Sequence, residues 1–324
     1  MILPEGYVAG FVCTLATCDV KLWGFIHYQP SLVGNILFLV LLDLLALAQL
    51  VLGIKYKTGL VCVSMLLGLA CESLGYVARI LLHYDPFNRA YFLWYLITLT
   101  LGPVFIAAAI YLCLGRIVMV YGEGMSRIRA RSYTVIFMAC DLISLVVQAG
   151  GGGLAASVPL WNQNLIDIGT NILVAGLSFQ VASLFAFLVC SADFLLRVRK
   201  RKDERKVENA DLYNDRKFKL FLVSLAFATL CLFVRTVFRS VELSEGFSGR
   251  LANSEVQFMV LDGVMVILAS TALTVMHPGF AFGNKWAVGK FKFRKEKTVE
   301  EDGPTETGEK TGPSVIESPV TELR

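Results

Sequence analysis

Apolar residues come in long runs along this chain, and polar residues fall in the short breaks between them. Seven runs reach the length a helix needs to cross a hydrocarbon core about 30 Å thick, about 20 residues. They are residues 32–54, 60–83, 92–118, 133–157, 166–192, 218–241 and 256–277. None alternates with period two, so they predict helices rather than barrel strands. The fourth run carries Asp141, Gln148 and four consecutive glycines, which lower helix propensity, yet its flanks fit a span. The pattern predicts an all-α membrane protein, a seven-transmembrane helical bundle over residues 32–281. An N-terminal segment, 1–31, precedes it. A polar tail, 282–324, follows it and is expected to be disordered, because it has too few apolar residues to build a core.

Composition agrees with the pattern. The 324 residues are 56% hydrophobic and 17% charged, against about 25% charged for a soluble domain. This excludes an ordinary soluble enzyme, a nucleic-acid binder, a disulfide scaffold and a disordered chain. The net charge of +4 becomes informative once it is mapped onto the breaks. Lys55 and Lys57 follow the first run; Arg127, Arg129 and Arg131 follow the third; Arg197, Arg199, Lys200, Arg201 and Lys202 follow the fifth. Lys285, Lys290, Lys292, Arg294 and Lys295 follow the seventh, while the other breaks are poor in Lys and Arg. The positive-inside rule then puts the N-terminus outside and the C-terminus in the cytosol. The basic loops either mark topology alone or also rest on anionic lipid head groups, at about 1 kcal/mol per basic residue.

No signal peptide is visible, so the first span is expected to serve as the insertion signal. Six of the eight cysteines lie in or beside spans and read as small apolar residues. Cys13 and Cys18 sit in the external segment, where a disulfide can persist; their pairing stays open.

Ionisable groups within hydrocarbon cost about 2.5–3.5 kcal/mol each on the lenient insertion scale, so they mark cavities or partners. Asp43 lies in the first span. Glu72 and Arg79 are seven residues apart on one face of the second. Asp141, Ser144 and Gln148 share a face of the fourth, Asn171 and Ser178 one of the fifth, and Arg235, Arg239 and Glu242 one of the sixth; Asp262 lies in the seventh. Two readings fit. One is a polar pocket open to the outer leaflet that binds substrate through Glu72, Arg79, Asp141, Gln148, Asn171, Arg235 and Asp262. The other is a set of internal ion pairs, such as Asp262 with Arg235 or Arg79. Pro103 removes a backbone bond and invites a kink. Gly150, Gly151, Gly152 and Gly153 permit either close helix packing or a bent, moving segment.

The chemistry of an enzyme is not legible. His27, His83 and His277 do not pair within the bundle as haem ligands would, and the seventh run lacks a Schiff-base lysine. No P-loop, His-Glu-x-x-His or Gly-x-Ser-x-Gly string occurs, so no cofactor, metal or catalytic residue is expected.

Several strings carry a resemblance. They are Tyr28-Gln-Pro-Ser-Leu-Val-Gly-Asn35, Glu72-x-x-Gly75-Tyr76-x-x-Arg79, Gly102-Pro103, and Asp141-x-x-Ser144-x-x-x-Gln148-x-x-Gly151-Gly152-Gly153. To these add Gly169-x-x-Ile172-x-x-x-Gly176-Leu177-x-x-Gln180, Arg235-x-x-Phe238-Arg239-x-x-Glu242, and Glu255 with Asp262 and His277-Pro278-Gly279. In this order, over about residues 25–282, the chain resembles the fungal lipid-translocating exporter family, also called resistance-to-aminocholesterol-like. The resemblance implies a seven-span protein of a fungal plasma or internal membrane. It also implies movement of lipids or cationic amphiphiles, such as sphingoid long-chain bases, and resistance to toxic amphiphiles. It supplies no site residues. A receptor-like sensor and a regulator of another lipid pump are the alternatives.

The predicted orientation has a direct test. An epitope on the C-terminal tail should bind antibody only after cells are permeabilised, and one before residue 20 should bind on intact cells.

Overall fold

The structure, a computed structural model, describes residues 15, 17–24, 26–122, 129–157, 162–200, 213, 215–245, 249, 251 and 253–283. All of them belong to one compact unit, residues 1–290. Cys13, the basic stretch 201–212 and the tail from 284 onward lie outside the described residues. Cys18 is disulfide-bonded.

A short helix, α1 (Val20–Trp23), precedes the long ones. These are α2 (Leu32–Tyr56), α3 (Gly59–Tyr84), α4 (Arg89–Tyr121), α5 (Ala130–Ser157), α6 (Gln163–Lys200) and α7 (Arg216–Ser244). The seventh span begins as α8 (Glu255–Phe258) and passes through a π-helical turn (Met259–Val264). It ends as α9 (Met265–Val275), before the short α10 (Pro278–Phe282). Seven helical stretches are long and apolar enough to cross a membrane, and the protein is an integral, multi-pass helical membrane protein. Among the described residues there is no strand.

Local chemistry sets the ends. Ser31, Asn88 and Asp215 cap α2, α4 and α7, each accepting a backbone N–H with its side chain. His277 does the same for α10: its Nδ1 accepts from Gly279 N at 3.2 Å, so its proton sits on Nε2, 3.4 Å from Thr58 Oγ1. The sixth helix outruns the apolar run 166–192 that predicts it. At 38 residues it is about 57 Å long. Its extension ends in Arg197, Arg199 and Lys200, cations that suit a helix C-terminus, and Arg197 pairs with Asp193 at 2.9 Å.

Each long helix packs on its neighbours in sequence, and α9 closes the ring against α2 and α7. α4 is the central member: 72% of its apolar stretch is buried, against 22% for α2. On α2, Val33, Leu37, Val40, Leu44, Leu47, Val51 and Ile54 point outward. In water such a surface would drive aggregation, whereas in hydrocarbon it is the solvated face.

The glycine run of α5 does not break the helix, which is continuous over residues 130–157. Its members differ. A Cβ on Gly151 would lie 2.4 Å from Leu173 N and 2.6 Å from Gly169 O, while one on Gly169 would meet Ala155 N at 2.6 Å. These two let the α5 and α6 backbones touch, the usual use of small residues in a bilayer. Gly150 and Gly153 face open space. Substitution should therefore change sign within the run. Gly150→Ala should raise stability by up to about 1 kcal/mol through helix propensity, and Gly151→Ala should lower it by about 1–3 kcal/mol through overpacking. Thermal unfolding of the purified protein in detergent measures both.

Candidate functional site

The deepest polar feature is built around Arg235 of α7, 3% exposed. Its Nη2 lies 3.3 Å from Glu72 Oε1 on α3 and 3.2 Å from Asp262 Oδ1 on the π-helical turn. The same nitrogen donates to Leu99 O of α4 at 2.6 Å. Why that carbonyl is available follows from the sequence. Leu99 is four residues before Pro103, and proline has no N–H to return to it. The proline leaves α4 helical and turns an orphaned carbonyl into a ligand for the guanidinium. Gly102 beside it makes the room: a Cβ there would lie 2.5 Å from Glu72 Oε1.

Two further arginines extend the cluster. Arg239 Nη1 bonds Glu242 Oε2 at 2.7 Å, both 2% exposed. Arg79 is fully buried, donates through Nε to Asn35 Oδ1 at 3.1 Å and through Nη2 to Tyr28 Oη at 3.1 Å, and stacks on Phe258 at 3.9 Å. Tyr95 lies between Arg79 and Arg239, 5.5 and 5.9 Å from their guanidinium carbons. Arg79, Arg235 and Arg239 against Glu72, Glu242 and Asp262 make a charge-balanced group. The π turn supplies Asp262, and π turns interrupt helices where a side chain must be re-aimed. Gly263 next to it leaves space for Tyr76, whose Oη would sit 2.4 Å from a Cβ there.

A second polar set lies on α5. Asp141, 2% exposed, accepts from Tyr111 Oη at 2.9 Å through Oδ2. Its Oδ1 has no hydrogen-bond partner, and among the described residues no cation pairs with it. Phe137 and Phe187 flank Tyr111 at 5.8 and 4.6 Å. Two turns on, Gln148 Nε2 donates to Ser144 Oγ at 2.6 Å and to Gln180 Oε1 of α6 at 2.9 Å. Ser144 Oγ donates to Gly176 O at 2.8 Å.

The structure thus brings Glu72, Arg235 and Asp262 together and places Arg79 at the edge of the same cluster. It sets Asp141 and Gln148 apart on α5. Asn171 joins neither, being exposed on α6, and Asp43 is exposed on α2, accepting from Ser73 Oγ at 2.7 Å. Tyr111, Gln180, Asn35 and Tyr95 complete the two sets. Single-residue reading passes over Tyr111 and Tyr95 and leaves Asn35 and Gln180 as motif positions without a role, because uncharged polar residues are common in spans and their partners lie on other helices.

Residues 65–285, which hold both sets apart from Tyr28 and Asn35, match the family model described as RTA1 like protein. The chain belongs to the RTA1 like protein family. The resemblance read on its motifs points to the same group. Over 254 residues it is 32% identical to the sphingoid long-chain base transporter RSB1 of Saccharomyces cerevisiae, covering 70% of this chain and 65% of that protein. Protoporphyrin uptake protein 1 of the same species is 29% identical over 226 residues, 69% of each chain. Protein RTM1 is 28% identical over 223 residues, 68% of each. No solved structure matches this RTA1 like protein.

The Arg235 cluster predicts a measurable coupling. Arg235→Met strands two buried carboxylates and should cost about 3–5 kcal/mol. Pro103→Ala returns an N–H to Leu99 O, so the two substitutions should be coupled by about 0.5–3 kcal/mol in a double-mutant cycle on thermal stability. Strict additivity would mean that the Leu99 bond contributes nothing.

Proposed function

We propose that this RTA1 like protein moves lipids or cationic amphiphiles, such as sphingoid long-chain bases, between leaflets or out of the cell. In doing so it contributes to resistance to toxic amphiphiles. The observation that carries this reading is the 32% identity, over 254 residues, to a protein named as a sphingoid long-chain base transporter. The expected setting is a plasma membrane, with the N-terminus outside, the C-terminus in the cytosol and the basic loops against anionic lipid. The protein acts as a carrier and not as an enzyme.

The geometry divides the candidate residues. Glu72 and Asp262 share Arg235 within a cluster of three arginines and three carboxylates, so in this conformation they tie the bundle together. An ammonium head group finds its carboxylate at Asp141, which has an unpartnered oxygen and a tyrosine but, among the described residues, no cation. Inside a protein, two charges attract several times more strongly than in water. The Arg235 cluster keeps its helices in register, and the exposed glycines of α5 are where the helix can bend with least loss of packing.

Reconstitution tests the reading. The purified chain in liposomes should move a labelled sphingoid base between leaflets, and Asp141→Asn should slow it about tenfold or more, the loss of about 1.4 kcal/mol of head-group binding. Binding without movement would instead indicate a receptor-like sensor. Equal rates for the wild type and Asp141→Asn would remove this carboxylate from the path.

A further inference from the structure

A cavity of about 290 Å³ lies between α4, α5, α6 and α7, beside the second polar set and away from the Arg235 cluster. Its wall is almost wholly apolar: Leu93, Leu96 and Leu101 from α4, Leu145 from α5, Leu173 and Leu177 from α6. Ile97 of α4 is 56% exposed, and Gly153 of α5 is exposed with open space at its Cβ position. These two residues line it from facing helices, so the cavity opens sideways, between α4 and α5, towards hydrocarbon. One amide lines it, with a buried oxygen that has no partner. Gln148 is 5% exposed and lines the cavity, and while its Nε2 is used twice its Oε1 has no partner. A buried amide oxygen without a donor costs about 1–3 kcal/mol, so the site lacks a hydrogen-bond donor.

We propose that this cavity is a binding site for the alkyl chain of a single-chain amphiphile, whose hydroxyl or amine donates to Gln148 Oε1. The inference deepens the transport reading and rests on it for the identity of the cargo. At about 30 Å³ for a water-sized group, the cavity takes on the order of ten methylenes, enough for part of one long chain and too little for a two-chain lipid. The side opening lets the chain slide in from the bilayer without crossing water. Gln148 then sorts cargo: a chain with a donor near its head satisfies the amide, and a plain alkane leaves it bare.

The test uses the full-length protein in nanodiscs and a long-chain amino alcohol carrying a photoreactive diazirine in its chain. Labelling should map to residues 93–101 and 145–153 and should be competed by unlabelled amino alcohol more effectively than by an alkane of equal length. Gly153→Phe fills the cavity from a position with open space, and Ile97→Trp closes its mouth from the other side. Each should lower labelling about tenfold or more, a loss of about 1.4 kcal/mol. Val146→Phe, at a lipid-facing position 66% exposed, should leave it unchanged. Gln148→Met should abolish the preference for the amino alcohol over the alkane. Labelling that falls elsewhere or survives both filling variants overturns the site. Cavity labelling by a wild type that moves no sphingoid base supports the site and overturns the transport reading instead.

Discussion

A guanidinium buried among apolar helices must be met by both charge and hydrogen-bond acceptors, and Arg235 is met by three elements at once. Glu72 comes from α3, Asp262 from the π turn of the seventh span, and Leu99 O from α4. Each partner needs its own local departure from a plain helix: Gly102 to admit the Glu72 carboxylate, Pro103 to free the carbonyl, and a π turn to aim the aspartate. The helix interfaces around α4 and α7 are placed by this demand. A hydrophobic contact tolerates sliding, while a buried ion pair does not, because a displaced partner leaves an uncompensated charge.

This gives the bundle two unlike flanks. One holds the charge-balanced cluster of Arg79, Arg235 and Arg239 with Glu72, Glu242 and Asp262 on α3, α7 and the seventh span. The other, between α4, α5 and α6, relies on backbone contact at Gly151 and Gly169, on amide and hydroxyl bonds among Ser144, Gln148 and Gln180, and on a cavity. Interhelical bonds of that neutral kind contribute only about 0.6 kcal/mol on average. The second flank is therefore the one that can rearrange at low cost, while the first keeps register.

The spans were legible because a continuous apolar run of span length has one stable solution in a bilayer. The ends were less so: α6 continues through Lys200 because cations at a C-terminus stabilise the last turns beyond the apolar stretch. Periodicity put Arg235 and Asp262 among candidate partners but left Arg79 as an equal choice, since that choice depends on how helices are rotated against one another. Pro103 was readable as a missing bond, and its use by Arg235 was not, because the acceptor and donor are 136 residues apart. The π turn leaves no mark in Met-Val-Leu-Asp-Gly-Val. Asn171 has the right residue type on the wrong side: the helical rule groups Asn171 with Ser178 but does not say which way that face turns, and it turns outward.

For a single-chain amphiphile, the physical problem of crossing is confined to its head. The chain is as soluble among Leu96, Leu145 and Leu177 as in lipid, so its transfer into the side cavity is close to neutral, and the cost lies in stripping water from an amine and hydroxyls. A carrier needs only a short polar stripe along an opening that faces hydrocarbon. Asp141, Ser144 and Gln148 share one face of α5 and rise about 10 Å along the helix, and of the three Gln148 lines the cavity. That is about one third of a 30 Å hydrocarbon core. The Arg235 cluster holds α3, α4, α7 and the seventh span in register with strong ion pairs, while the α5 flank carries one carboxylate, Asp141, beside neutral amide and hydroxyl groups that can rearrange at low cost.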